Sequence, residues 1–155
     1  MVVSQGTFAV MIFTDRYFMS QIDPVHMAAA LGGGVASFFS FCFFVGLFSY
    51  ANAMAAQYLG AGEPEKCPKV VTQGLIMTVM SAPFLTLITF LVAGIFETMG
   101  HDPEQVELSR IYYLILMSGV LVNLAKTCIS SYFAGIGRTK VVMICDVFGL
   151  VINVP

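Results

Sequence analysis

Long apolar runs make up most of the chain, and its polar positions gather in short stretches between them. Met1 to about Gln21 is apolar except for Asp15 and Arg16. No Asp, Glu, Lys or Arg occurs from Val25 through Gly62, or from Val70 to Phe96, a run interrupted by Pro83. Ile111 to Ile136 carries one charge, Lys126, and Val141 to Pro155 begins a further run that holds Asp146. A helix needs about 20 mostly apolar residues to cross a bilayer. The pattern therefore predicts an all-α fold, a polytopic transmembrane helical bundle. The expected spans cover about 1–21, 25–59, 69–97, 104–134 and 139–155, with the first and last read as incomplete.

The connections carry recognisable punctuation. Asp23-Pro24 and Asp102-Pro103 each set an N-cap side chain before a proline at the first helical position. Gln105 sits where a capping box wants its Glu or Gln, and Gly100 is placed to end the preceding helix. Gly60-Ala61-Gly62-Glu63-Pro64 and Gly135-Ile136-Gly137-Arg138 read as tight turns, so successive helices are expected to run antiparallel. Lys66, Lys69, Arg138 and Lys140 fall in the second and fourth loops. The first and third hold Asp23, Glu97, Asp102, Glu104 and Glu107, with Arg110 as the nearby cation. Lys and Arg concentrate on the cytoplasmic side. The second and fourth loops are thus expected inside, and the chain to be multi-pass in the cytoplasmic (inner) membrane.

Composition narrows the class further. Of 155 residues, 58% are hydrophobic and 10% charged, against about 25% charged in soluble domains. Mean hydropathy is +0.87. This excludes a soluble globule and a nucleic-acid binder with a basic face, and it makes the lipid bilayer the first expected partner. The opening run lacks a basic start and a small-residue cleavage site, so it is not read as a cleavable signal peptide. Cys42, Cys67, Cys128 and Cys145 show no CxxC pair, and no metal or organic cofactor is expected.

No hydrolytic or redox constellation is present, and no enzyme activity is expected. His26 and His101 fall in loops without catalytic company. Gly32-Gly33-Gly34 lacks the Lys-Ser/Thr of a phosphate loop and reads as a small-residue stripe for close helix packing. The informative residues are polar groups inside apolar runs, which are functional candidates by default. Asp15 leads them, because helical spacing sets Phe8, Met11, Met19 and Ile22 on its face, an apolar wall that would disfavour its charge. The competing reading is an ion pair with Arg16. Asp146 and Asn153 share a face, with Asp146 expected to pair with Arg138 or Lys140 and Asn153 offering an amide to a cation or a protonated acid. Tyr112 and Tyr113 open the fourth span near the expected level of Asp15, as ligands or as interfacial anchors. Asn52, Gln57, Asn123, Lys126 and Thr127 are further polar groups, either interhelical contacts or ligands.

With these residues in hand, the chain resembles the amino-terminal part of a MATE (multidrug and toxic compound extrusion) transporter. Phe13-Thr14-Asp15-Arg16-Tyr17-Phe18-Met19-Ser20 resembles the end of that family's first helix, and His26-Met27-Ala28-Ala29-Ala30 its entry to the second. Ala56-Gln57-Tyr58-Leu59-Gly60-Ala61-Gly62 resembles the ending of the second, the most specific of the matches. Gly135-Ile136-Gly137-Arg138-Thr139-Lys140 is similar to the turn before helix five, and Gly149-Leu150-Val151-Ile152-Asn153 to that helix. The resemblance implies twelve helices in two lobes, with this chain as part of the amino-terminal lobe and the remaining carboxyl-terminal half as its partner. It also implies a proton or sodium site on Asp15, Tyr112 and Asn153, with Thr127 at a polar position of helix four. A further helix-five acid would lie beyond Pro155, and Arg16 and Asp146 depart from the pattern.

The expected function is secondary antiport, exporting small organic, often cationic, substrates in exchange for H+ or Na+. Pro83 is a candidate bend point in the third span. Two alternatives differ in class. A lipid-linked saccharide flippase of similar architecture would want several cations in its cavity, where only Arg16, Arg110 and Lys126 are candidates. A small non-transporting membrane subunit would need complete first and last spans.

Overall fold

The computed structural model describes residues 2–21, 23–98 and 102–153, excepting the side chains of residues 2–5, 8 and 153. It is an all-α helical bundle. Helix α1 (Val2–Ser20) leads to α2 (Pro24–Ser49), which continues through Tyr50 into α3 (Ala51–Gly60). After a 3-10 turn, α4 (Cys67–Ile95) returns, followed by α5 (Pro103–Ser118), α6 (Val120–Gly135) and α7 (Thr139–Asn153). His101 and Gly100, both singled out from sequence, lie outside the described residues.

Local chemistry accounts for the ends. The Asp23 carboxylate accepts the Val25 amide at 2.8 Å, and Asp102 accepts that of Glu104 at 3.2 Å, each beside a proline that lacks the donor a helix start would waste. The turns after α3 and α6 share one design. Gly62 (φ 76°) and Gly137 (φ 77°) adopt the left-handed conformation open to glycine. The following amides, of Glu63 and Arg138, then reach back to the Tyr58 and Phe133 carbonyls at 2.9 and 2.8 Å. These are the wrap-back bonds of a Schellman ending.

Two interruptions behave differently. Pro83 lies inside α4, yet the helix runs on from Cys67 to Ile95. The expected bend point is therefore a helical residue, and the one amide bond it removes leaves the helix unbroken. The stretch expected as one span from 104 to 134 is instead bent by 47° between α5 and α6. The bend falls at Ser118-Gly119, a residue pair typical of kinks. There the Ser118 hydroxyl donates to the Ile115 carbonyl at 2.6 Å, and the Gly119 amide turns to Leu116 at 3.2 Å.

Helix α2 packs mainly on α5, and α6 packs against α2, α3 and α4. Their shared core holds Phe48, Leu85, Phe96, Tyr113, Met117 and Leu124. Gly33 permits the α2–α5 approach: a Cβ there would stand 2.7 Å from the Ser109 carbonyl oxygen and 3.1 Å from the Tyr112 ring. Gly135 does the same for α6 on α3, against the Asn52 carbonyl and Ala55. One buried polar bond joins α2 to α5, between the Ser40 and Tyr113 hydroxyls at 3.1 Å. The outward faces stay apolar, with Phe39 80% and Val122 75% exposed. Apolar exposure of this kind marks a lipid-facing surface. Pro24–Gly60 and Pro64–Thr98 are long and apolar enough to cross a membrane, and the bent α5–α6 pair makes a third such segment.

Candidate functional site

Three places carry the polar and cavity features of the bundle. The first lies where α1 runs past α2. Asp15 and Arg16 both lie within electrostatic reach of the Tyr112 hydroxyl. Tyr112 is half-buried where α5 meets the glycines of α2, its ring 3.8 Å from where a Cβ on Gly34 would sit. Asp15 itself is exposed. Of the four residues expected on its face, Met11 and Met19 are half-buried, while Ile22 and the Phe8 side chain lie outside the described residues. The physical reason for the exposure of Asp15 is that α1 packs only on α2 and α7. Its remaining face has no neighbour among the described residues. Asp15 and Arg16 form no ion pair with each other among the described residues, as expected for neighbours pointing about 100° apart on a helix.

The second place is a polar cleft of about 240 Å³ among α3, α6 and α7. Thr127 lies on its wall with Asn52, Asn123 and Thr139, and across it the Lys126 ammonium meets the Asp146 carboxylate at 3.0 Å. This corrects the expected partners of Asp146, since Arg138 and Lys140 form no ion pair among the described residues. Those two cations sit in the turn and the first residues of α7, whereas Asp146 is two turns further along, at the level of Lys126. The Thr127 hydroxyl is committed to the Asn123 carbonyl at 2.9 Å. The signal was present in the sequence: Lys126 precedes Gly137 by eleven residues and Asp146 follows it by nine. Antiparallel helices joined by a tight turn bring residues equidistant from that turn to one level.

The third place is an apolar groove of about 980 Å³ among α2, α4 and α5, with Phe39, Phe43, Phe84 and Phe96 on its walls and Ser40 and Gln105 as sparse polar points. Its size falls within the range of sites for drug-sized molecules, roughly 300–1,000 Å³. Phe39, Phe43 and Phe84 are each more than 60% exposed, so the groove belongs to the apolar outer surface.

Asp15 thus lies within electrostatic reach of Tyr112 without packing of α1 on α5, and Thr127 lies elsewhere, in the cleft of the Lys126–Asp146 pair. Asn153 is the last described residue of α7, and its side chain lies outside the described residues. Among the described residues no cluster of His, Cys, Asp and Glu could hold a metal ion.

Comparison with known proteins agrees with this architecture. The chain is 24% identical over 143 residues to a probable multidrug resistance protein NorM of a Synechococcus species, covering 91% of this chain and 30% of that protein. It is 25% identical over 154 residues to a probable multidrug resistance protein NorM of Pseudomonas putida, covering 99% of this chain and 33% of that protein. The multidrug resistance protein NorM of Aliivibrio fischeri is 26% identical over 143 residues, with 92% and 31% covered. The chain therefore spans about a third of the length of these curated relatives. No solved structure matches it. The family model MatE matches residues 1–155, every residue of the sequence, and this helical membrane chain belongs to the MatE family.

Proposed function

We propose that the chain is the amino-terminal part of a secondary antiporter that exports small organic, often cationic, compounds across the cytoplasmic membrane in exchange for H+ or Na+. The reading rests on the match to MatE along the whole chain and on relatives named for multidrug resistance. One structural observation carries the mechanism: an ionisable side chain on an apolar helix, Asp15, lies within electrostatic reach of the Tyr112 hydroxyl on another. In this reading Asp15 is the ion-coupling group and Tyr112 its hydrogen-bonding neighbour. Asn153 supplies a further ligand from α7, and Thr127 a polar position on α6. Loading Asp15 with a proton or a sodium ion neutralises its charge and removes the attraction it exerts on its surroundings. Such loading shifts the balance between inward-open and outward-open packings only as far as the ion binds the two unequally.

The remaining two thirds of such a transporter complete this lobe and supply the other. The lipid bilayer and small organic substrates are its further partners. Asp15→Asn tests the assignment, because it keeps size and hydrogen bonding but removes the exchangeable proton and the charge. In full-length protein reconstituted into vesicles under an imposed proton or sodium gradient, the variant should insert normally and lose ion-driven dye efflux. Efflux at the unmodified rate would overturn the role of Asp15.

A further inference from the structure

The cleft between α3, α6 and α7 contains an ion pair that the coupling mechanism does not use. Lys126 lies nine residues before the end of α6, and Asp146 seven after the start of α7. At 1.5 Å per residue the pair stands roughly 10–14 Å from the turn that joins the helices. The pair therefore lies about two turns or more inside both helices, away from the charged turn at Arg138. The two partners are held unequally. The Asp146 side chain is 13% exposed and fixed among its neighbours, while that of Lys126 is 62% exposed on a flexible four-carbon stem.

The rest of the lining mixes polar groups with the apolar Ala134 and Val142. Asn52 and Asn123 offer amides, Ser130 and Thr139 hydroxyls, and no aromatic ring faces the space. A hydrophobic drug finds neither volume nor stacking surface here, since about 240 Å³ lies below the range of drug-sized sites, roughly 300–1,000 Å³. Charge decides between smaller ligands. The pair is neutral and Asp146 is its enclosed member, so a lone anion on Lys126 would leave a poorly solvated carboxylate uncompensated, and a lone cation on Asp146 would leave the exposed Lys126 without its partner. A ligand carrying both signs inserts without that penalty, replacing one ion pair by two. Lys126 can swing to the ligand's anion because its ammonium has three donors and needs no helix movement to follow.

We propose that this cleft is a binding site for a small zwitterion with the size and charge pattern of a free α-amino acid, its ammonium on Asp146 and its carboxylate on Lys126. Lys126 and Asp146 have no part in the proposed ion coupling, so the test on them is separate from that of Asp15, although Thr127 on the cleft wall belongs to both readings.

The test uses full-length protein purified in detergent micelles, with radiolabelled L-alanine as probe. Ethylamine and propionate serve as its two charged halves on separate molecules. L-Alanine should bind saturably, and neither half should compete at a concentration about tenfold above that of unlabelled L-alanine that displaces half the probe. Lys126→Gln and Asp146→Asn should each weaken binding at least about tenfold, as loss of one partner of a charge pair does. The exchanged variant Lys126→Asp with Asp146→Lys should bind within a few-fold of the unmodified protein, because it presents the same two signs. If either single variant fails to fold, the competition series and the exchanged variant decide. Absence of saturable L-alanine binding, equal competition by either half, or undiminished binding in a folded single variant would overturn the proposal.

Discussion

Gly33 sets the distance between α2 and α5 without contributing an atom to the space between them. A methyl group there meets backbone, the Ser109 carbonyl at 2.7 Å, and backbone cannot rotate out of the way as a side-chain tip can. Gly33→Ala should therefore push the helices apart, strain the Ser40–Tyr113 bond and lose about 1–3 kcal/mol, the usual range for overpacking. Thermal unfolding in detergent checks this, and an unchanged midpoint would contradict it. The role of the stripe was legible in the sequence, because three glycines in an apolar run have few other uses. Asp15 was legible as an ionisable group in a helix. Its exposure was not, since helical spacing tells which residues share its face and not which helix covers them. The partner of Asp146 was misread because nearness along the chain was taken for nearness in space. Counting outward from Gly137 on both sides brings it to within two residues of the level of Lys126 instead.

At the level of elements, Asp-Pro signals and Gly-rich turns announced helix ends, because capping is chemistry within a few residues. The interior of a helix is less legible. Pro83 sits inside an unbroken α4, while Ser118-Gly119, without a proline, divides its segment with a bend of 47°. A glycine inside an apolar run can serve packing, bending or neither, and only the surrounding helices decide. Gly119 has φ −91° and ψ −2°, an ordinary right-handed conformation, and the nearest atom to an added Cβ is the Leu116 carbonyl at 3.8 Å. Gly119→Ala should thus be tolerated sterically. It should gain stability, up to about 1 kcal/mol, through the lost freedom of glycine in the unfolded chain. Parallel unfolding of Gly119→Ala and Gly33→Ala should move in opposite directions. A shared direction would count against the different roles given to these two residues.

For the whole molecule, the apolar pattern was enough to establish an all-α membrane bundle, because a bilayer admits few other ways to satisfy the backbone. Orientation rests on charge. Contact of Gly135 with Asn52 and Ala55 sets the end of α6 beside α3, so the turns at Gly62 and Gly137 lie at one end of the bundle. Lys66, Lys69, Arg138 and Lys140 gather there, and the positive-inside tendency assigns that end to the cytoplasm. In full-length protein whose native cysteines are replaced, Lys66→Cys and Arg138→Cys should both resist a membrane-impermeant thiol reagent in intact cells. Both should react after permeabilisation, and strong labelling of either from outside would reverse the topology. Relative placement of helices was the least legible layer, because every run is apolar on several sides and lipid can stand in for a neighbour.

The bend at Gly119 also has a mechanical meaning. From that pivot α6 extends 16 residues, an arm of about 24 Å, so a rotation of about 10° sweeps its far end through roughly 4 Å. The same rotation moves Lys126, seven residues from the pivot, by only about 2 Å. A shift of that size lies within the span of the Lys126 side chain, so the ion pair tolerates it, whereas the Gly135 contact with Asn52 at the far end of the arm does not. The bend thus divides one segment into a half that holds Tyr112 on α2 and a half that holds Lys126 against α3 and α4, and the second is steadied most firmly where its leverage is longest.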